Sequence, residues 1–275
     1  MVDAADIAII IPCFNDGATL KATLLSVQAQ KLAAAEVVVV DDGSSDQATI
    51  ELINNLQEHG CSGLTNFKVL KQLNQGPSSA RNTAIEICKA AWILPLDADD
   101  LLRPIAINAL WNAVKEDSSR GIIYGKNIFF GGQSQVADFP PFSENIMALG
   151  NVIPVSALFK RESWAAVGGY RIAMNSGWED WDFWLSLLEH GEKVYQLEEI
   201  ILDIRIKHRS RNRGWSSSER LKLVSMLAGN HHDFFARHIT DLLDRVSDLE
   251  HQRQTSRYQI IKNTLKSLWR RGSTR

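Results

Sequence analysis

The sequence predicts an α/β fold in which a mostly parallel central sheet is flanked by helices, with a helical extension at the C-terminal end. Before residue 92, three segments in succession read as an apolar strand, a polar loop and an amphipathic helix. This alternation is typical of a parallel sheet with helices on both faces. With 275 residues, 45% of them hydrophobic, the chain can form one large domain or one domain with an appendage.

The first two predicted strands are continuous apolar runs, which are typical of strands covered on both faces. Ile7–Pro12 (IAIIIP) leads through the loop CFNDG into leucines at helical spacing, and Glu36–Val40 leads through DDGSSD into a second helix. Ser44 and Gln47 have the spacing of a capping box, which predicts that they begin this second helix.

The third unit begins with a strand at Phe67–Leu70 and continues through the loop NQGPSSARN. Gly76 and Pro77 suit the entry of a helix, which we expect to end near Ala90. Ligands of such sheets bind beyond the carboxyl ends of the strands, so these polar loops predict a nucleotide pocket. Neither G-x-G-x-x-G nor a Walker lysine motif is present, which disfavours a dinucleotide dehydrogenase or a P-loop NTPase.

A fourth apolar strand, WILPL at 92–96, ends in the carboxylates Asp97, Asp99 and Asp100. Mg²⁺ and Mn²⁺ take oxygen ligands, and one or two carboxylates with substrate phosphates commonly hold such ions. The alternative is a solvated turn or an N-cap for the helix expected over 103–116. Pro95 is unexpected here, because proline removes an N–H from a central strand.

The second half is predicted to extend the same sheet, because no long linker separates it from the first half. Strands are expected at 121–130 and 152–159, a short helix at 160–167 and a strand pair over 194–206. Residues 217–246 are expected to be helical.

The segment GWEDWDFWLSLLEHG (177–191) predicts a helix with Phe183 and Trp184 on its apolar face. Glu179 and Asp180 lie four residues earlier and begin this inward-facing stripe. An acid at the positive end of the helix dipole and partly buried suits a general base, whereas helix capping is the alternative. Trp178 and Trp181 either present their rings to a ligand or belong to the core.

Two basic segments follow, and each leaves alternatives open. Arg205, Lys207, Arg209, Arg211 and Arg213 alternate with other residues and would bind nucleic-acid phosphates, close over a diphosphate or form a solvated face. The pI of 6.4 disfavours nucleic acid. Residues 251–275 combine an apolar helical stripe with cations and would lie on an anionic membrane surface, on the protein's own core or on a second subunit. The cations are Arg253, Arg257, Lys262, Lys266, Arg270, Arg271 and Arg275.

Bulk properties predict a cytoplasmic protein. The formal net charge of −2 indicates no polyanionic partner. No run approaches the roughly 18 apolar residues of a membrane span, and the start, MVDAAD, is acidic where a signal peptide would be basic. The three cysteines are widely spaced, which predicts neither a disulfide framework nor a zinc cluster.

Taken together, these blocks resemble the family-2 inverting glycosyltransferases, which have a GT-A fold. The resemblance runs through IIIPCFN, VVVVDDGSSD, GPSSARNTAI, LDADD, VGGYR, GWEDWDFWLSL and RIKHRS, and so covers roughly residues 7–210. It implies a GT-A domain over 1–215, with a nucleotide-binding half at about 1–117 and an acceptor-binding half at about 118–215. Residues 216–275 would then be a helical extension with a basic amphipathic tail.

The resemblance also implies which residues bind the nucleotide sugar. Pro12 and Phe14 would line the wall against the base, and Asp42 would accept a hydrogen bond from the edge of uracil or another base. Arg81 would approach the diphosphate, and Asp97 would contact the ribose or the donor sugar. The full set of implied nucleotide-sugar contacts is Pro12, Phe14, Asn15, Asp42, Arg81 and Asp97.

For the chemistry, the resemblance implies that Asp99 holds Mn²⁺ or Mg²⁺, with Asp97 and His208 as candidate additional ligands. Asp180 would be the base that deprotonates the acceptor hydroxyl in a single inverting displacement. Three residues would flank the acceptor: Trp178, Glu179 and Trp181. Arg171 and Ser186 depart from the family pattern, which commonly has an acid at the first position and an arginine at the second.

The function implied is transfer of a sugar from a nucleotide-diphosphate sugar, expected to be UDP-linked, to a glycan or lipid-linked glycan acceptor. The pathway would be synthesis of cell-surface polysaccharide, lipopolysaccharide or a glycoprotein glycan. A homodimer and contact with the inner membrane face through 251–275 are further hypotheses. The alternatives are a non-catalytic nucleotide-sugar-binding protein and an Asp-based phosphohydrolase, whose acidic pair would follow the first strand.

Overall fold

The computed structural model describes residues 4–64, 66–132, 135–137, 139–206 and 215–251. The strands of these residues are β1 (Ala4–Cys13), β2 (Ala33–Asp41), β3 (Phe67–Lys71), β4 (Trp92–Pro95), β5 (Leu101–Leu102), β6 (Arg120–Phe130), β7 (Gln135–Val136), β8 (Leu158–Lys160) and β9 (Lys193–Arg205). The helices are α1 (Gly17–Gln28), α2 (Gln47–His59), α3 (Pro77–Ile87), α4 (Ala106–Glu116), α5 (Glu144–Leu149), α6 (Arg161–Ala166), α7 (Glu179–Glu189), α8 (Ser217–Asn230) and α9 (His232–Arg237). Residues 239–251 are also helical.

The strands form one sheet in the order β3-β2-β1-β4-β8-β6-β9-β5, with β7 paired to β6. Strands β1 to β4 are parallel to one another. In the second half, β8 runs antiparallel to β4 and β6, β9 is parallel to β6, and β5 is antiparallel to β9. The predicted α/β class is therefore confirmed, and so is the extension of one sheet by the second half. The purely parallel part is β1 to β4, and the remainder is mixed.

Apolar side chains cover both faces of the sheet. Along β1, Ala8 and Ile10 belong to one core cluster, whereas Ile7, Ile9 and Ile11 belong to the other. Because successive side chains of a strand point to opposite faces, a central strand needs apolar residues at every position. This burial explains the uninterrupted run at the start of the sequence.

The position of Pro95 within a central strand has a simple reason. The N–H of Leu96 donates to the carbonyl oxygen of Ile10 in β1, at 2.9 Å. Since successive residues direct their N–H groups to opposite sides, residue 95 faces the β8 side. On that side the ladder ends at Ile93, which pairs with Phe159. Pro95 therefore removes no hydrogen bond from the sheet.

Three local predictions were wrong. The capping box predicted at Ser44 and Gln47 is absent, because α2 is capped by Asp46, whose carboxylate accepts from the Thr49 N–H. The strand predicted at 152–159 is β8, which begins only at Leu158, because residues 152–157 form an irregular segment whose Val152, Ile153 and Ala157 are buried in the core without pairing in the sheet. The predicted strand pair over 194–206 is one long strand, β9, without a turn.

The C-terminal helices begin with a capping box formed by Ser216 and Glu219. In the part of the chain that the structure describes, no helix is both long and apolar enough to cross a membrane. The basic run from Lys207 to Arg213 and the tail after residue 251 lie outside the described residues. The hypotheses about them, and His208 as a metal ligand, stay predictions.

Candidate active site

The loops after β1 and β2 are tied together by Asn15. Its side-chain Oδ1 accepts hydrogen bonds from the backbone N–H groups of Ser45 and Asp46, at 2.8 and 2.9 Å, and its own N–H donates to the Ser44 hydroxyl. Asn15 adopts a left-handed conformation with φ of 56°, which asparagine tolerates better than most residues. Its position at the carboxyl edge agrees with the predicted nucleotide pocket, and its observed contacts hold that edge in shape.

Asp42 is buried and organises the next loop. Its two carboxylate oxygens accept from the side chain of Gln72 and from the backbone N–H groups of Gln75 and Gly76, at 2.7 to 2.9 Å. These three contacts fix the orientation of the Asp42 carboxylate at the edge of the sheet. Gly43 next to it has φ of 72°, and a Cβ there would lie 2.7 Å from the Asn74 nitrogen. Only glycine allows this close approach of the two loops.

Phe14 lies at the rim of this edge, with 46% of its surface exposed. Pro12 is half-buried beside it, at the end of β1. An exposed aromatic ring beside ordered polar loops is suited to stacking against a planar base. The predicted contacts of Pro12 and Phe14 with a base stay predictions.

A buried cation joins the two halves of the site. Arg81 of α3 is 1% exposed. Its two terminal nitrogens lie 2.9 Å from Asp97 Oδ1 and 3.2 Å from Glu179 Oε1. Burial alone would lower the pKa of the guanidinium, but the two carboxylates more than offset this and raise it. Arg81 is therefore a fixed positive charge that holds the end of β4 against the start of α7.

Asp180 follows Glu179 and is half-buried. Its Oδ1 accepts from the Trp181 N–H at 2.8 Å, and its Oδ2 accepts from the side-chain amide of Asn151 at 3.0 Å. Burial raises the pKa of Asp180 to about 6, and the neighbouring Glu179 charge adds to the increase. Asp180 is therefore ionised near pH 7 but accepts a proton readily, as a general base must.

Neither Glu179 nor Asp180 is the N-cap of α7, which is Trp178, although the Asp180 carboxylate accepts from one N–H of the first turn, that of Trp181. Trp178 has a left-handed conformation, with φ of 58° and ψ of 20°. A bulky residue in this region is strained, and such strain is concentrated at functional sites. The backbone conformation of Trp178 sets the direction in which the side chains of Glu179 and Asp180 point.

The acidic residues that follow β4 make different contacts. Asp100 is buried, and its Oδ1 accepts from the Arg205 N–H at 2.8 Å. The Arg205 side chain donates to the Asp99 carbonyl oxygen at 3.1 Å and lies over the Phe130 ring. The first residue of the basic run thus contacts the acidic segment directly. Because β5 separates these acids from α4, whose N-cap is Ile105, the N-cap alternative was wrong.

The donor set fits a hard divalent ion that is completed by phosphate. Asp97 and Asp99 are both half-buried and flank the buried Ala98, and Asp97 lines the cavity described below. Among the described residues, no group of three His, Cys, Asp or Glu side chains could hold a metal ion. One or two carboxylates are what Mg²⁺ retains where substrate phosphates supply other ligands. Asp99, with Asp97 beside it, is the candidate pair.

A cavity of about 860 Å³ opens beside these groups. Trp178 and Trp181 both line it, with their rings 5.3 Å apart in an edge-to-face arrangement. Trp181 is buried and donates from Nε1 to the Met147 carbonyl oxygen, so it belongs to the core as well as to the cavity wall. The polar and charged side chains of the cavity are Arg81, Asp97, Asp100, Asn151, Glu179, Asp180 and Arg220.

Two features of the site could not be found from sequence reasoning. Asn151 lies in an irregular segment, and nothing in its local pattern indicates the contact with Asp180. The C-terminal helices contribute a wall of the cavity through Val224, Leu227 and Phe235. The spacing of apolar residues could have indicated that α8 has a buried face. It could not have indicated that this face lines the cavity beside Asp180.

The two departures from the family pattern contact each other. Arg171 donates from one terminal nitrogen to the Ser186 hydroxyl and to the Asp182 carboxylate, at 2.8 Å each. Arg171 and Ser186 therefore share one polar cluster with the buried Asp182.

Comparison with known proteins places the chain in a family. Residues 8–148, half of the chain, match the sequence model described as Glycosyl transferase family 2. The chain belongs to glycosyl transferase family 2. The match begins within β1 and contains β2 to β4 with their loops, which confirms the family indicated by the sequence blocks.

Individual relatives agree with this membership. The chain is 37% identical over 122 residues to the poly(ribitol-phosphate) beta-N-acetylglucosaminyltransferase TarP of Staphylococcus aureus (strain N315), covering 44% of this chain and 36% of TarP. It is 28% identical over 189 residues to chondroitin synthase of Escherichia coli, covering 67% of this chain and 27% of that protein. The chain thus spans only about a quarter to a third of the length of these two relatives.

The fold is shared with a solved GT-A transferase structure. A crystal structure of S. aureus TarS 1-349 in complex with UDP-GlcNAc superposes with a TM-score of 0.69, covering 86% of this chain and 72% of that chain at 17% sequence identity. At this identity the likeness concerns the fold alone. It confirms the predicted GT-A architecture.

Proposed function

We propose that this chain is an inverting glycosyltransferase that transfers a sugar from a UDP-linked donor to an acceptor hydroxyl. The observation that carries the proposal is Asp180, a half-buried carboxylate with a pKa near 6 in a cavity that also contains the Arg81 and Asp97 pair. The names of the relatives support it. TarP is named an N-acetylglucosaminyltransferase, and the TarS structure contains UDP-GlcNAc. UDP-GlcNAc is therefore the first donor to test.

On the donor side, the proposed contacts follow the carboxyl edge of β1 to β4. Pro12, Phe14 and Asn15 border the base, and Asp42 accepts a hydrogen bond from its edge. Asp97 contacts the ribose or the donor sugar. Arg81 is buried between two carboxylates, so it acts on the diphosphate through the position of Asp97 as well as through its charge.

The proposed metal site is Asp99, with Asp97 as a candidate second ligand, and the ion is Mn²⁺ or Mg²⁺. Such an ion neutralises negative charge on a departing diphosphate. His208 stays a candidate additional ligand. The half-buried carboxylates Asp97 and Asp99 support this assignment by their chemistry.

On the acceptor side, Asp180 takes the proton from the acceptor hydroxyl as its oxygen attacks the anomeric carbon of the donor sugar. The new carbon–oxygen bond forms on the face opposite the bond to the diphosphate, which leaves with the electron pair, so the configuration inverts. Trp178, Glu179 and Trp181 flank the acceptor. Glu179 is ion-paired with Arg81, and its charge contributes to the raised pKa of Asp180, the carboxylate proposed to accept the proton.

The wider setting is also proposed. The acceptor is a glycan or a lipid-linked glycan of a surface polysaccharide, lipopolysaccharide or glycoprotein. Residues 1–117 bind the nucleotide, residues 118–215 bind the acceptor, and residues 216–275 form the extension. We propose a cytoplasmic location. Peripheral membrane contact through 251–275 is a further hypothesis, which vesicle binding tests. A homodimer is another, which sedimentation measurements test.

The test is release of UDP from UDP-GlcNAc with Mn²⁺, with water or an added glycan as the acceptor, comparing the wild-type chain with Asp180→Asn. We expect the variant to bind UDP as the wild type does and to release UDP 10² to 10⁴ times more slowly, the range for loss of a general base. Equal release by both chains would contradict the role of Asp180. UDP binding without any turnover by the wild type, across UDP-sugars, would favour a non-catalytic binding protein.

A further inference from the structure

The lining of the cavity beside Asp180 is of two chemical kinds. The carboxylates Asp97, Glu179 and Asp180 lie together with Arg81. Aliphatic and aromatic side chains form what we call the apolar wall, with Arg220 as a cation on the same helix as two of them: Phe139, Leu149, Val152, Ile153, Val224 and Leu227. A polar group held at the carboxylates would therefore have an apolar wall within reach.

Much of this wall belongs to elements outside the part of the chain that matches the family. Val224, Leu227 and Ala228 lie on one face of α8, and Phe235 of α9 and Leu242 of the following helix continue the wall. Family matching ends at residue 148. These elements therefore lie outside the residues matched by the family model.

Part of the wall is open to solvent. Val224 is 45% exposed, although Leu227 one turn later is buried. Exposure of apolar surface to water is unfavourable in free energy, and an open apolar surface beside a reactive group is typical of a ligand site. The lining is mainly aliphatic, which suits a hydrocarbon chain.

We infer that the acceptor of the proposed transfer carries a hydrocarbon chain, which lies along α8 while the accepting hydroxyl reaches Asp180. This inference rests on the proposed function, because Asp180 defines the end at which the hydroxyl binds. Val224 and Leu227 then determine acceptor specificity. The acceptor class is a sugar attached to a lipid-like group.

The test uses methyl, hexyl and octyl β-D-glucoside below their micelle concentrations, titrated against the full chain with UDP and Mn²⁺ present. Binding is followed by tryptophan fluorescence, since Trp178 and Trp181 line the cavity. Full burial of one CH₂ group strengthens binding by about fourfold, so the octyl compound is expected to bind at least roughly tenfold more tightly than the methyl compound.

A matched pair of variants locates the effect. Val224→Asp places a charge on the cavity wall, whereas Leu221→Asp places one on the same helix outside it, at a residue that is 66% exposed. Both positions are exposed, so both variants are expected to fold. Val224→Asp should weaken octyl glucoside at least tenfold and leave methyl glucoside unchanged. Leu221→Asp should change neither.

Three results would overturn the inference. They are no binding of octyl glucoside, equal binding of the methyl and octyl compounds, and equal loss in both variants. The first two are expected if another segment of the chain or a second copy covers the wall. UDP binding is measured in the same samples. If the wild type binds UDP but not octyl glucoside, only the inference about the acceptor is overturned. If the wild type does not bind UDP, the proposed function itself is overturned.

Discussion

Asp180 and the side chains around it balance two opposing effects. Burial and the Glu179 charge raise the pKa of Asp180, whereas the Trp181 N–H and the Arg81 charge lower it. The result is a pKa of about 6, close to the pH at which a general base works best. Arg81 is also paired with the adjacent Glu179, 3.2 Å from its Oε1.

The first prediction concerns the pH dependence of turnover. Because Asp180 acts as a base only when it is ionised, kcat should fall as the pH decreases through about 6, roughly tenfold per pH unit below that value. Initial rates of UDP release between pH 4.5 and 8.5 measure it. A rate that is flat down to pH 4.5 would exclude Asp180 as the base.

Asn151 provides a second test of the same group. Its amide donates to Asp180 Oδ2, and a donor to the ionised form favours ionisation. Asn151→Ala should therefore raise the pKa of Asp180 and move the acidic limb of the kcat profile to higher pH. Asn175→Ala, at an exposed position, serves as the control and should leave the profile in place. A limb that stays in place in Asn151→Ala would contradict this role.

The raised pKa of Asp180 also has a consequence for stability. A carboxylate whose pKa is higher in the folded than in the unfolded state favours folding when protonated, and this contribution is lost as the pH rises from about 4 to 6. Asp180→Asn should therefore have a higher Tm than the wild type at pH 8 and an equal Tm near pH 4. A lower Tm at pH 8 would show that the carboxylate stabilises the fold.

Among the secondary-structure elements, α7 and the C-terminal helices are joined by a buried charge network. Asp182 of α7 is fully buried and contacts Arg171, His231 and Asn230, at 2.8 to 3.1 Å. Burial would raise the pKa of Asp182, but the hydrogen bonds from these three residues lower it overall. The other ring nitrogen of His231 lies 2.6 Å from Glu189. This network fixes the position of the C-terminal helices, which contribute to the apolar wall of the cavity.

Removing Asp182 should be costly, because Arg171 and His231 would lose their buried partner. Asp182→Ala is expected to reduce the free energy of unfolding by about 3–5 kcal/mol, as is typical when a buried ion pair is broken. Asp233→Ala, whose side chain is 74% exposed, should change it by less than about 0.5 kcal/mol. Urea unfolding measures both, and similar small changes in the two variants would contradict the importance of the network.

Across the whole molecule, the sequence predicted the features that depend on neighbouring residues. The four parallel strands and the polar loops after them follow from local apolar runs, and the carboxyl edge then brings the loops together. The pairing of Arg81 with Glu179, 98 residues away, depends on tertiary structure and has no local signal. The left-handed conformation of Trp178 is likewise imposed by the surrounding fold, since tryptophan has no intrinsic preference for it.

The central claim is that the carboxyl edge of the sheet binds a nucleotide diphosphate together with a metal ion at Asp99. The most direct measurement is the shift in Tm with UDP, GDP, dTDP or CDP, each with Mn²⁺ or with EDTA. We expect UDP with Mn²⁺ to stabilise the chain by about 2.7 kcal/mol at a hundredfold excess over Kd. The shift should disappear with EDTA and in Asp99→Ala. Two results would contradict the claim. One is no shift in Tm with any nucleotide. The other is a shift with UDP that is as large in EDTA, and in Asp99→Ala, as in the wild type with Mn²⁺.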